Sequence, residues 1–384
     1  MPVPLSQFPE QSSHLSSMPS LTCVSTLAAP VRQVGDLKYP SGEPAWEVRF
    51  RPDGRQLAVC YGAPHPAVRI YGVDEKTNEW VVESVMEGIH ERTIRSLDWL
   101  PITPYSMIAT ASFDGTVGVW EHKKDRWECT AQLEGHDNEV KCVRWNATGT
   151  LLATCGRDKT VWVWEAFLTP GADGDFECLA VLSGHEGDVK QIEFAASHDQ
   201  WGDGNEILLS AAYDNTIKCW AEDDGDWYCA LTIDGVHAGT VWSLALSPSA
   251  TRLVSGSDDG SMAIYKCYTV TEKKEKFPDE GSAGNGLWKC VGKLPEAHDG
   301  SVYSISYAPA SAGHGRIASV GADGALRIFR EIPQHTPEQP LFDVDSVASV
   351  NAGEVNSVDW HPRNGSILAA AGDDGNVRLW KYTT

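Results

Sequence analysis

One pattern recurs seven times in this 384-residue chain, and that repetition restricts the possible folds more than any other feature. The clearest copies are "IHERTIRSLDWLPITPYSMIATASFDGTVGVWE" (89–121) and "GHDNEVKCVRWNATGTLLATCGRDKTVWVWE" (135–165). Further copies span 184–222, 236–266, 297–330 and 351–381, and a degenerate one spans 43–72. They close on Tyr71, Trp120, Trp164, Trp220, Tyr265, Phe329 and Trp380. Within each copy, short runs of period-2 alternation are broken by Gly, Pro, Asp and Asn, which predicts strands joined by tight turns. A second element also repeats: "RWECT" at 126, "DFECL" at 175, "DWYCA" at 226 and "LWKCV" at 287. Each puts an aromatic two places before a cysteine (Trp127/Cys129, Phe176/Cys178, Trp227/Cys229, Trp288/Cys290) and adds a fourth strand per copy. Four evenly placed cysteines are either ligands of one metal centre or one structural position repeated.

The Gly-His…Asp…Trp signature and its spacing resemble WD40 repeats. The resemblance implies an all-β, seven-bladed WD40 β-propeller with four-stranded antiparallel blades. In such folds a His, a Ser or Thr, a turn Asp and a Trp form a buried hydrogen-bonded tetrad. Carried over by position, the tetrads are His90/Thr110/Asp114/Trp120, His136/Thr154/Asp158/Trp164 and His185/Ser210/Asp214/Trp220. Tyr265 and Phe329 replace Trp beside His237/Ser255/Asp259 and His298/Ser319/Asp323. The last copy keeps Asp374 and Trp380 but has Asn351 and Ala370, and the first lacks the set. A His near Asp and Ser also suits a hydrolase triad, but a triad is one constellation at one site, whereas this set is printed in series.

The chain ends on the third strand of the last copy, "VRLWKYTT", which leaves an edge unpaired. The segment "VRQVGDL" (31–37) is expected to supply the missing strand and close the ring. The domain reading is therefore a disordered extension over 1–30 and a propeller over 31–384. Two insertions interrupt it: 269–287, charged and Gly-rich and expected to be a disordered loop, and 331–347, Pro-rich at its start.

A formal charge of −22 argues against binding a nucleic-acid backbone or an anionic membrane. No apolar run approaches the length of a membrane span, and the Ser/Pro-rich start does not read as a signal peptide. Ten cysteines without such a signal predict free thiols in a reducing cytosol or nucleus. HExxH, CxxC, a phosphate-binding Gly loop and G-x-S-x-G are absent, and His122 and His314 stand isolated. The reading is therefore not an enzyme, with no cofactor and no metal, and a rigid platform for other proteins.

In a propeller the residue after the first apolar position of each inner strand lines the channel mouth: Trp46, Arg95, Lys141, Lys190, Trp242, Tyr303 and Asn356. Residues before each turn aspartate add Phe113, Arg157, Tyr213, Asp258, Ala322 and Asp373. Arg95, Lys141, Arg157 and Lys190 thus form a basic arc on an acidic protein, next to Phe113, Tyr213, Trp242, Tyr303 and Trp46. Clustered cations and aromatics are the chemistry of a protein-binding hot spot. The expected ligand is a short acidic peptide with an aromatic or aliphatic end, held by Arg forks and apolar anchors. The competing reading is ordinary surface, with the bases paired to Glu139 and Asp188.

The block "LEGHDNEVKCVRWNATGTLLATCGRDKTVWVWE", with "TASFDGTVGVWE", "DVKQIEF" and the aromatic-x-Cys strands, resembles one family more closely. That family is the WD40 subunit of the cytosolic iron–sulfur protein assembly targeting complex. The resemblance implies a non-catalytic adaptor in cytosol and nucleus. Its implied partners are a DUF59-type assembly subunit, a large HEAT-repeat adaptor, an iron-only-hydrogenase-like cluster carrier and client apoproteins with acidic–aromatic C-terminal tails. It also implies that Arg157, in "CGRDK", is an exposed top-face arginine. The L-Y-R tripeptide of some animal members is replaced here by "IKCWAED" (217–223). The alternative is another WD40 platform, such as a ubiquitin-ligase substrate receptor or a chromatin reader.

On this fold the aromatic-x-Cys strand is the outermost of its blade, and aromatic and Cys, two apart, share one face. Copies one blade apart lie on the rim, too distant to share an ion at the ~2.3 Å of a metal–sulfur bond. The cysteines read as a packing repeat.

Overall fold

Each repeat folds as one antiparallel sheet of four strands, because no single sheet can bury its two apolar faces alone. In a computed structural model, residues 19–28, 31–34, 37–40, 42–169, 173–198, 200–280, 284–295, 297–312, 315–333 and 335–383 are described. Among them are seven four-stranded sheets, the blades, and one two-stranded hairpin. The inner strands run Ala45–Phe50, Ile94–Trp99, Val140–Trp145, Val189–Ala196, Val241–Leu246, Val302–Tyr307 and Val355–Trp360.

The core is seven apolar clusters, one at each junction between neighbouring blades. That between blades 2 and 3, for example, joins Val117 and Val119 to Val140, Val143 and Trp164. Burying each such aliphatic side chain contributes roughly 1.5–3 kcal/mol. Polar rungs tie the inner strands together around the channel. Leu97 N–H donates to Glu47 Oε2 (2.8 Å), Val143 N–H to Ser96 Oγ (3.3 Å) and Val358 N–H to Ser304 Oγ (3.2 Å).

Closure uses a strand other than the expected one. Ser20–Leu27 pairs antiparallel with Val377–Thr383, from Ser20 opposite Thr383 to Leu27 opposite Val377. Residues 31–34 instead form a hairpin with 37–40. The closing strand thus starts within the segment expected to be a disordered extension. The physical reason lies in packing: Leu27 is buried in the cluster between blades 7 and 1. The expected disorder of residues 1–18 lies outside the described residues, as does His314.

The 269–287 insertion is also more ordered than expected. Its first part is an α-helix, Val270–Lys276 (α1), opened by a capping box in which Thr269 and Glu272 satisfy each other's backbone N–H groups. Gln200 Oε1 accepts from Val270 N–H, and Lys276 and Lys266 both reach Glu338 (2.9 and 2.8 Å). The loop that carries Gln200 in blade 4 is thus tied to α1, and α1 to Glu338 in blade 6, while Trp201, next to Gln200, is fully buried. In the 331–347 insertion, Phe342–Ser349 is the outer strand of blade 6.

Hydrogen bonds join the tetrad side chains within their blades. His136 places Nδ1 2.6 Å from Asp158 and Nε2 2.8 Å from Thr154 Oγ1, which accepts from Trp164 Nε1 (3.1 Å). In blade 2, Thr110 Oγ1 stands 2.8 Å from His90 Nε2 and 3.2 Å from the Gly118 carbonyl oxygen, and accepts from Trp120 Nε1 (3.1 Å). Asp114 holds the other ring nitrogen of His90 at 3.1 Å. In blade 4, Ser210 Oγ stands 2.7 Å from His185 Nε2 and accepts from Trp220 Nε1 (2.8 Å), while Asp214 holds His185 Nδ1 at 2.8 Å. Donors and acceptors match in each, so a buried polar group is satisfied without solvent. In blade 5, Tyr265 hydroxyl meets Ser255 Oγ at 3.1 Å, and Ser261 Oγ stands 3.0 Å from His237 Nδ1. In blade 7, where Ala370 offers no hydroxyl, Trp380 Nε1 is buried with no hydrogen-bond partner among the described residues. Blade 1 substitutes a Tyr61–Tyr71 hydroxyl pair at 3.1 Å.

The outer-strand cysteines lie opposite the tetrad aromatics: Cys129 faces Trp120, Cys178 faces Trp164, Cys229 faces Trp220 and Cys290 faces Tyr265. The following residue is a β-bulge in each strand. Their aromatics fill the groove beside the preceding blade, as Phe176 does against Trp145 at 6.0 Å. Among the described residues no group of three or more His, Cys, Asp and Glu could hold a metal ion.

Candidate protein-binding site at the channel mouth

The seven mouth residues share one backbone device. In every inner strand the register slips by one residue at the second position, between Val140 and Cys142 in blade 3 and between Val189 and Gln191 in blade 4. The same slip occurs in the other five blades. The extra residue is Trp46, Arg95, Lys141, Lys190, Trp242, Tyr303 or Asn356. A bulge leaves one residue out of the ladder and re-aims its side chain. The sequence offset found these seven positions; only the pairing register shows why they leave the sheet.

The side chains converge. Trp46, Arg95, Phe113, Lys141, Lys190, Trp242 and Tyr303 line one cavity of ≈ 310 Å³. Asn356, Glu354 and Asp373 complete it. Cations stand over rings: Lys141 Nζ is 4.0 Å from the Phe113 centroid, Lys190 Nζ 4.8 Å from Trp242, and the Arg95 guanidinium 5.3 Å from Trp46. Trp242 and Tyr303 meet edge to face at 5.6 Å. Such contacts stabilise by about 0.5–2 kcal/mol and pre-orient the cations. Burial lowers the Lys141 pKa, against the opposing pull of Glu139.

Arg157 and Tyr213 lie outside that cavity, on the rim above it. Tyr213 is 62% exposed, and Lys190 Nζ sits 5.5 Å from its ring. The Arg157 side chain is 55% exposed and reaches Glu139 only at 3.7 Å. Glu139 is shared: it takes Lys141 at 2.6 Å and Arg92 at 2.7 Å. Lys190 pairs with Asp188 at 3.2 Å. Both pairings belong to the ordinary-surface reading, yet one carboxylate cannot neutralise three cations. Arg92, in "HERTIR", was missed from sequence because it sits in a connecting loop, although its basic side chain lies two residues after a tetrad histidine.

The tetrad residues, also singled out from the sequence, do not line this cavity. Thr110 is fully buried, at 0% exposure. Ser210 is likewise fully buried, at 0%, and so is Thr154. A nucleophile must be open to its substrate, and these hydroxyls are closed inside their own blades. Burial of Thr110 and Ser210 therefore contradicts a hydrolase role for the His–Asp–hydroxyl sets and leaves them a structural one.

Beneath the mouth, the channel wall carries an ion network built largely from one recurring inner-strand position, occupied by Arg49, Asp98, Arg144, Glu193 and Asp359. Arg144 reaches Glu47 (2.8 Å) and Glu193 (3.3 Å), and Arg49 reaches the same two carboxylates (3.3 and 3.6 Å). Burial pushes the Glu47 carboxyl up, but the Arg144 and Arg49 charges outweigh it and hold it at about 2. Asp98 and Asp359, which accept Trp145 and Phe50 N–H at 2.9 Å each, are raised by burial to about 6. His122, one of the isolated histidines, is exposed and rests against Trp127 at 5.3 Å.

The WD40 family (WD domain, G-beta repeat) matches residues 85–121, 127–165, 176–221, 227–266, 288–330 and 346–381. The blade without a tetrad is outside these matches. The chain is similar to a probable cytosolic iron-sulfur protein assembly protein 1 of Scheffersomyces stipitis, 33% identical over 88% of this chain and 96% of that one. The Candida glabrata protein of the same name is 34% identical over 88% of this chain and 95% of its own length. A probable cytosolic Fe-S cluster assembly factor of Schizosaccharomyces pombe is 36% identical over 82% of this chain. The chain spans about half the length of that last relative, 48%. Six matched repeats and near full-length similarity at this level place the chain in the WD40 family and, within it, among the proteins named cytosolic iron-sulfur protein assembly protein 1.

Proposed function

We propose that this protein is a non-catalytic scaffold of the cytosolic iron–sulfur cluster assembly machinery, which docks partner subunits and client apoproteins for cluster insertion. The observation that carries this reading is the name borne by relatives that the chain matches over nearly their whole length. A channel mouth built of cations and aromatics supports it, because clustered cations and aromatics are the chemistry of a protein-binding hot spot. The partners are a DUF59-type subunit, a HEAT-repeat adaptor, an iron-only-hydrogenase-like carrier and clients, in cytoplasm and nucleus, with neither nucleic acid nor membrane bound. Client tails that end in acidic and aromatic residues bind at Arg157, Lys141, Arg95, Lys190, Trp242, Tyr303, Tyr213, Phe113 and Trp46.

Affinity capture of the tagged protein from its own cells, read by mass spectrometry, tests the reading. Recovery of a DUF59-type and a HEAT-repeat protein is expected; a cullin adaptor in their place would overturn it. Titrating an acidic–aromatic carboxy-terminal peptide tests the site. Arg157→Glu should weaken binding at least tenfold, and equal affinity rejects the mouth.

A further inference from the structure

The mouth is electrically two-sided. Over blades 2–4 stand five cations: Arg92, Lys141 and Arg157 share Glu139, Lys190 pairs with Asp188, and Arg95 lies over the Trp46 ring. Across the opening, blades 5 and 7 present Asp258, Glu354 and Asp373, all exposed. Among the described residues no Lys or Arg pairs with any of these three. Their partners are neutral. Ser301 Oγ donates to Asp258 at 2.6 Å and Asn356 Nδ2 donates to Asp373 at 3.0 Å, while Glu354 lines the cavity beside Tyr303. Lys141 and Lys190 line the same ≈ 310 Å³ cavity as Glu354 and Asp373, so both poles act on one ligand. The aromatic rings mark the boundaries between poles: Trp46 with Phe113 on one side (6.4 Å), Trp242 with Tyr303 on the other (5.6 Å).

We infer that the mouth takes a dipolar peptide in one direction. Its carboxylates lie over blades 2–4, an apolar or aromatic side chain sits between the rings, and a Lys or Arg upstream lies over Asp258, Glu354 and Asp373. This rests on the reading of the mouth as a peptide site and adds to it a direction and a second charge. A uniformly acidic peptide would set its upstream carboxylates against three unneutralised ones. Like charges brought together across an interface are penalised, and that penalty supplies specificity. The reversed peptide would put like charges together at both ends.

Three synthetic peptides that share one acidic–aromatic carboxy-terminal end, and differ only in an upstream Lys, Ala or Glu, test this by calorimetry. The Lys peptide should bind the wild type about tenfold more tightly than the Glu peptide at low salt, with the gap shrinking at ~1 M salt, where screening acts within ~3 Å. Glu354→Lys, an exposed change checked by its melting curve, should reverse the ranking. Binding of all three peptides within twofold, or an unchanged ranking in Glu354→Lys, overturns the dipolar reading while the site stands. No binding of any peptide to the wild type overturns the site itself.

Discussion

Lys190 Nζ stands 4.8 Å from the ring centroid of Trp242, and both residues are the bulged member of their inner strand, in blades 4 and 5. The contact therefore joins two side chains that the sheet ladders do not use. Trp242→Ala and Lys141→Ala are expected to abolish or weaken peptide binding at least tenfold while the melting temperature moves by only a few degrees. A large drop in melting temperature, in step with lost binding, would make the mouth a structural feature instead.

Closure gives the largest expected stability effect. Deleting residues 1–27 removes the strand paired with Val377–Thr383 and uncovers a long edge. The truncated protein should aggregate or lose its cooperative melt. A soluble protein with an unchanged melting temperature would refute closure by this strand.

Tetrads allow one change in each direction. Thr154→Val removes the hydroxyl between His136 and Trp164 and leaves buried polar atoms unsatisfied, at a cost of about 1–3 kcal/mol. Ala370→Ser places a hydroxyl where Trp380 Nε1 has no acceptor among the described residues and should stabilise by up to about 1 kcal/mol. Chemical denaturation of both variants measures the pair, and a destabilised Ala370→Ser would show that blade 7 has no room for the oxygen.

Acid stability has two opposing parts. Burial works to raise Asp259 and Asp323, but hydrogen bonds from Ser261 and His298 respectively outweigh it and hold both at about 2. The unfolded chain therefore binds more protons, and this contribution is lost as pH falls from about 4 towards 2. Asp98 and Asp359 stand at about 6, so the folded state binds the extra protons and stability declines as pH rises from about 4 to 6. Asp98→Asn keeps an acceptor for Trp145 N–H and should flatten that decline. An unchanged slope between pH 4 and 6 would show that Asp98 titrates normally.

The outer-strand thiols should be dispensable for metal. Serine at Cys129, Cys178, Cys229 and Cys290 together is expected to leave partner capture intact. The anaerobically purified protein should carry no stoichiometric iron by metal analysis; a bound cluster lost in this variant would reverse that view.

Repetition along the chain was sufficient to identify blades, tetrads and the offset of the mouth residues, because each depends on local spacing that recurs. His136 needs only Thr154, Asp158 and Trp164 from its own repeat, so the sequence displays the whole set. Three things depended on tertiary structure. Which segment pairs with Val377–Thr383 was decided by burial of Leu27 against blade 1, and two segments of similar pattern competed for it. The order in 269–280 came from contacts with Gln200 and Glu338, in other blades. The Arg144–Glu47–Glu193 network and the two-sided mouth join residues from separate repeats. Local spacing reports what one blade satisfies within itself; charges that meet across the channel become partners only when the ring closes.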